Sequence, residues 1–148
     1  MNSEISLRAL RLEDCEAVCE LASHTLPEHW SVRSLEEALR FDYNVYFVAV
    51  RDRRIVGFAG IMVTPPDADL LNIAVDPALQ RQGIAQLLLG KILEEARRRQ
   101  AERMMLEVRS GNHAARRLYE KYGFAELGKR KDYYANPRED AVIMEKWL

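Results

Sequence analysis

The sequence predicts an α+β fold, a mixed sheet of about seven strands with about four helices on its faces. Three observations carry this reading. Runs rich in β-branched and aromatic residues interleave with helix-periodic runs in the order strand, two helices, three strands, helix, strand, helix, two strands. The composition, 48% hydrophobic and 30% charged, is that of an ordinary globular chain. The length of 148 residues favours one domain spanning 1–148, and no repeat, low-complexity tract or linker divides it.

Residues 5–10 alternate weakly and form the first expected strand. Over 13–23, Cys15, Val18, Cys19 and Ala22 recur at helical spacing. A second short helix covers 31–40, where Val32, Leu35 and Leu39 share a face; Ser34 with Glu37 also fits a capping box, which leaves its start open. Two β-rich runs, 45–50 and 55–63, flank Asp52-Arg53 and read as a hairpin, and Pro65-Pro66-Asp67 ends the second of them. A third strand is expected at 70–75, before the turn Asp76-Pro77.

A long helix follows over 83–99, with Ile84, Leu87, Leu88, Ile92 and Leu93 inward. Glu94 with Arg98 and Glu95 with Arg99 stand at favourable i,i+4 spacing on its other face. Arg97-Arg98-Arg99 then reads as a solvated helix end favoured by the dipole. Residues 104–109 form a strand. Asn112 is the expected N-cap of a helix to Tyr122, and Gly123 its stop. Strands at 124–128 and 141–147 close the chain.

Several function classes lack support. With 22 basic and 23 acidic residues the net charge is -1, so there is no electrostatic case for nucleic-acid binding. No apolar run approaches the roughly 20 residues that span a bilayer. The N-terminal MNSEISLRALRLEDCE has no apolar signal core, so no membrane association and a cytoplasmic location are expected. Cys15 and Cys19 read as two thiols on one buried helix face, and no metal-binding spacing is present, so no metal is expected.

The stretch 80–85, Gln-Arg-Gln-Gly-Ile-Ala, leaves a strand and enters the long helix directly. A helix start presents unpaired N–H groups and partial positive charge, a ready seat for an anion. Gly83 allows close approach to the backbone, and Arg81 adds a charge that can reach a phosphate. The dinucleotide and Walker glycine patterns are absent. On these residues alone, an anion site and an ordinary strand-to-helix turn both remain open.

The stretch NIAVDPALQRQGIA resembles the acetyl-coenzyme A motif of the GNAT N-acetyltransferases, Gln/Arg-x-x-Gly-x-Gly/Ala, with Ala85 where a second glycine is commoner. The resemblance implies a GNAT fold with a mostly antiparallel sheet. It also implies that acetyl-CoA is the co-substrate, held at Arg81, Gln82, Gly83, Ile84, Ala85 and Gln86. The strand Ile73, Ala74 and Val75 would lie along the pantetheine. MLEVRSGNHAARRLYEKYGF, with KRKDYY and EDAVIM, is similar to the RimI-type acetyltransferases. Those enzymes acetylate the N-terminal alanine of small-subunit ribosomal protein eighteen, so the implied partner is the N-terminal peptide of a ribosomal protein, with no nucleic acid required.

Acyl transfer to an amine needs the amine neutral, and a chain N-terminus with a reference pKa of about 7.7 to 8.0 is partly so at neutral pH. A base still helps. Glu107 is a carboxylate in an otherwise apolar strand, with Met105 and Arg109 on its face. It could be an ion-pair partner of Arg109 or a neighbouring strand; the resemblance makes it the base. A glutamate reference pKa of about 4.3 is low for that task, so desolvation or a water relay is implied. Tyr119 could be a core tyrosine beside Leu118 and Tyr122; the resemblance makes it the acid that assists the leaving thiolate. Asn112 can cap its helix or, as the resemblance implies, touch the coenzyme, and one side chain can do both. Tyr133 and Tyr134 could form a plain aromatic turn, or line the acceptor site as the resemblance implies. His24, His29 and His113 read as surface residues.

Three functions stay open: acetyl transfer to a protein N-terminus, acetyl transfer to a small amine, free amino acid or lysine, and coenzyme binding without catalysis. The presence of both Glu107 and Tyr119 weighs against the last.

Overall fold

The computed structural model describes residues 4–148. Its strands are β1 (Ser6–Ala9), β2 (Asn44–Arg51), β3 (Arg54–Thr64), β4 (Asp67–Val75), β5 (Arg103–Arg109), β6 (Ala125–Ala135) and β7 (Arg138–Trp147). Its helices are α1 (Cys15–Thr25), α2 (Val32–Ala38), α3 (Ile84–Arg98) and α4 (His113–Lys121). All seven strands join one sheet in the order β1-β2-β3-β4-β5-β7-β6. Every neighbouring pair is antiparallel except β4 with β5. The expected class and element order are those observed.

Alternation along β2 feeds a core on each face. Tyr46 and Val48 join Phe58 and Ala74 under Cys15, Val18 and Leu35 of α1 and α2. Val45, Phe47 and Ala49 meet Ile84, Leu88 and Ile92 of α3 on the other side. A strand buried on both faces reads as a continuous apolar run, which is how β2 and β3 read. Cys15 and Cys19 are free and buried, and desolvation pushes the Cys15 thiol up to about 11. The β2–β3 turn has positive φ at both central residues, Asp52 (52°) and Arg53 (65°), the twist that suits a two-residue hairpin.

The structure corrects four details. Leu87 is 48% exposed, and Leu89 takes the inward place assigned to it. Glu95 is buried at 7% and accepts from both Arg98 and Arg99, while Glu94 lies near Lys91, so the Glu94–Arg98 pair does not form. α2 starts after Ser31, whose Oγ accepts from the Ser34 N–H at 3.0 Å, so the later capping box is not used. The last two strands are much longer than expected and make one long hairpin. Tyr133 and Tyr134 therefore lie in strand β6, not in a turn.

Candidate active site

β4 and β5 pair over only three residues each, Asp67–Asp69 with Arg103–Met105. Beyond that point β4 continues beside β3, and β5 beside β7 as far as Arg109 opposite Ala141. A bulge bends β4 here: Gly60 faces Asn72 and Ile61 faces Leu70, which leaves Leu71 extra. Parting strands leave backbone groups on their facing edges without ladder partners. The opening is a cleft of ≈ 570 Å³ lined by β4, β5, α4, the α1–α2 loop and the β6–β7 hairpin.

Glu107, Tyr119, Asn112, Ile73, Tyr133 and Tyr134 all line this cleft, so residues scattered over 62 positions of sequence meet. Glu107 lies in β5 facing Ile143 of β7. Its Oε2 is 4.0 Å from Arg130 Nε, and its side chain keeps 34% of its surface. Hydrogen bonding to Glu107 is the main cause that pushes the Tyr133 phenol up. The ion pair with Arg109 does not form. Arg109 instead donates to the Pro137 carbonyl (2.8 Å), the Asn136 carbonyl (3.2 Å) and Glu139 (3.3 Å), and its guanidinium lies 4.3 Å from the Tyr134 ring centre. Glu139 in turn accepts from the Gly111 N–H at 2.6 Å, the main cause that holds its carboxyl below the ordinary range. This relay fixes the hairpin tip against the β5–α4 turn.

Tyr119 is 8% exposed and packs edge-on to Phe124 at 5.8 Å. No buried side-chain oxygen among the described residues lacks a partner, so the Tyr119 hydroxyl is the part that meets the cleft. Burial, then the proximity of Tyr134, pushes this phenol up to about 12. Asn112 Oδ1 caps α4 by accepting from the Ala115 N–H at 3.2 Å, which leaves its amide N–H groups for another partner.

The remaining predicted residues, Ala74, Val75, Arg81, Gln82, Gly83, Ile84, Ala85 and Gln86, do not line the cleft; they continue from its β4 wall into the start of α3. Ala74, Val75 and Ile84 turn their side chains into the core, so only their backbone can meet a ligand. Arg81 (φ 68°) and Gly83 (φ 82°) are both left-handed, and a Cβ on Gly83 would meet nothing within 4 Å. Ser31 caps α2 and Asn112 caps α4, but no side chain caps α3. Gln82 accepts from Arg51 at 3.3 Å, and the Gln86 carbonyl accepts from the Tyr122 hydroxyl at 3.3 Å. Among the described residues no cluster could hold a metal and no helix is long and apolar enough to cross a membrane.

Sequence reasoning missed Asp69, Arg109, Arg130 and the α1–α2 loop residues Leu26, Pro27 and Glu28, all of which line the cleft. An acidic residue just ahead of the apolar run 70–75 was the one available signal for Asp69.

Residues 15–124 match the acetyltransferase (GNAT) family model. The chain is 38% identical over 127 residues to the [ribosomal protein bS18]-alanine N-acetyltransferase of Escherichia coli K12, covering 84% of each. It is 37% identical over 132 residues to the enzyme of the same name from Haemophilus influenzae, covering 87% of this chain and 88% of that one. The crystal structure of the ribosomal-protein-S18-alanine N-acetyltransferase from Escherichia coli superposes with a TM-score of 0.90 at 32% identity, over 98% of this chain and 94% of that one. Ard1 from Thermoplasma volcanium gives 0.89 at 26% identity, over 97% of both chains. With the parted β4 and β5, the uncapped α3 and these matches taken together, the chain belongs to the GNAT family of acetyltransferases.

Proposed function

We propose that residues 1–148 work as one domain that transfers acetyl from acetyl-CoA to the α-amine of an N-terminal alanine, that of ribosomal protein S18. The observation that carries this is the parting of β4 from β5, with Glu107 on one strand and Tyr119 of α4 lining the same cleft. The names of the relatives supply the acceptor.

The chain's groups fit the coenzyme. The loop with left-handed Arg81 and Gly83, and the free N–H groups of Ile84, Ala85 and Gln86, suit a pyrophosphate, with Arg81 and Gln82 adding side-chain contacts. The backbone of Ile73, Ala74 and Val75 offers an edge for the pantetheine amides, and the Asn112 amide can donate to the same molecule. The bound coenzyme supplies an acetyl thioester.

Glu107, beside Arg130 and Tyr133, accepts the proton that the amine loses as the new C–N bond forms, directly or through a water. Tyr119, held protonated by burial, donates a hydrogen bond to the departing sulfur. A thiol has a reference pKa of about 8.5, so the sulfur leaves as thiolate without full proton transfer from so weak an acid. Tyr133 and Tyr134 flank the acceptor chain, and transfer is direct, with no acyl-enzyme.

The test is mass spectrometry of purified protein with acetyl-CoA and two peptides. One is the free S18 N-terminus and the other has a blocked α-amine and a free lysine. One added acetyl on the free N-terminus alone is expected. Acetylation of the lysine peptide, or of neither, would overturn the reading.

A further inference from the structure

We infer that Asp69 receives the acceptor's α-ammonium at the point where β4 and β5 part, ahead of proton removal at Glu107. The inference rests on the acceptor class proposed above.

Asp69 is the last residue of β4 in register with β5, where its partner is Met105. Side chains alternate along a strand, so Met105 and Glu107 share a face, and Asp69 beside Met105 shares it too. Both carboxylates line the same cleft, from the two strands that separate there.

The neighbouring acids are paired and Asp69 is not. Asp67 takes Arg103 Nε at 3.2 Å, and the same guanidinium reaches Glu145 at 3.5 Å. Asp69 has no hydrogen bond or ion pair among the described residues. Arg109 is engaged by Asn136, Pro137 and Glu139, and Arg130 lies at Glu107. Partial burial first, then the charges of Asp67 and Glu107, disfavour the ionised form of Asp69, and Arg103 offsets this only in part. A half-buried carboxylate beside two others costs stability in its ionised form, and a bound cation restores that form. The proposed acceptor is such a cation: an α-amine with a pKa of about 7.7 to 8.0 enters mostly as ammonium at pH 7. Asp69 then acts on capture and Glu107 on proton removal, which divides between two residues what one carboxylate would do poorly.

The test uses calorimetry on full-length protein saturated with coenzyme A, so that no transfer occurs. The probes are an alanine-first S18 peptide with a free amine and the same peptide with a formylated amine. Wild type is expected to favour the free amine by about tenfold, one charge-assisted contact, and Asp69→Asn to lose most of that preference. Asp69→Asn is also expected to melt higher than wild type without ligand, because a repelled charge is removed. A preference retained in Asp69→Asn, no preference in wild type, or a lower melting temperature for the variant would each overturn the inference. Turnover with acetyl-CoA, measured in parallel, separates the two claims. Acetylated peptide with no dependence on Asp69 leaves the function standing and removes this residue. Asp69-dependent binding without acetylation removes the function and leaves the cation site.

Discussion

At the proposed coenzyme end, which runs on from the cleft's β4 wall into the start of α3, the groups open to a ligand are peptide N–H and C=O groups, because Ala74, Val75 and Ile84 send their side chains into the core. At the proposed acceptor end, the cleft itself, the reverse holds. Asp69, Glu107, Arg130, Tyr133 and Tyr134 project side chains from three different strands, and Arg109 fastens the hairpin that carries the last three. The first end is built by conformation and the second by composition. A backbone site tolerates side-chain change as long as Gly83 keeps its positive φ and α3 keeps its free start. A side-chain site changes its preference with single substitutions, so one fold can serve different acceptors.

This contrast sets the order of expected effects. Glu107→Gln keeps shape and removes the proton acceptor, so kcat should fall by about 10² to 10³ with the KM for acetyl-CoA nearly unchanged, in steady-state kinetics. An equal rise in that KM would blur the division between the two ends. Tyr119→Phe should lower kcat by about tenfold to a hundredfold. The Tyr119 phenol stands at about 12, so it keeps its proton throughout the assay range. Any alkaline limb of kcat below about pH 10 should therefore survive in Tyr119→Phe; loss of such a limb would contradict the burial argument.

Gly83→Ala tests the backbone end. Forcing a Cβ into the left-handed region costs about 1–2 kcal/mol, so acetyl-CoA affinity by calorimetry should fall by about tenfold while the KM for peptide holds. Arg81→Ala should have the smallest effect, about threefold in coenzyme affinity, because exposed charge contacts are weak beside a set of fixed amides. A larger loss from Arg81 than from Gly83 would reverse the account of that end.

The same contrast explains what could be read before folding. The donor end announces itself locally: a strand, a turn, a glycine and a long helix are contiguous over 72–99, and local rules suffice. Asn112 and Gly123 likewise mark α4 by local chemistry. The acceptor end depends on distant segments. Tyr133 and Tyr134 could pass for a turn because β6 is an edge strand, exposed along nearly its whole length, and shows no alternation. Arg109 looked like a partner for Glu107 because they are close in sequence, whereas its partners across the hairpin lie 27, 28 and 30 residues away. Leu87 was placed inward by helical spacing, but it sits at the margin of the apolar stripe, where one step of 100° decides burial.

The central claim is that the thioester and the amine meet where β4 leaves β5. The most direct measurement is a crystal structure with coenzyme A joined covalently to the nitrogen of an alanine-first peptide. The account predicts pyrophosphate oxygens on the N–H groups of 83–86, pantetheine amides on the backbone of 73–75, and the joined nitrogen within hydrogen-bond or one-water reach of Glu107. A conjugate whose nitrogen lies away from both Glu107 and Tyr119, with the same occupancy of the α3 start, would contradict it.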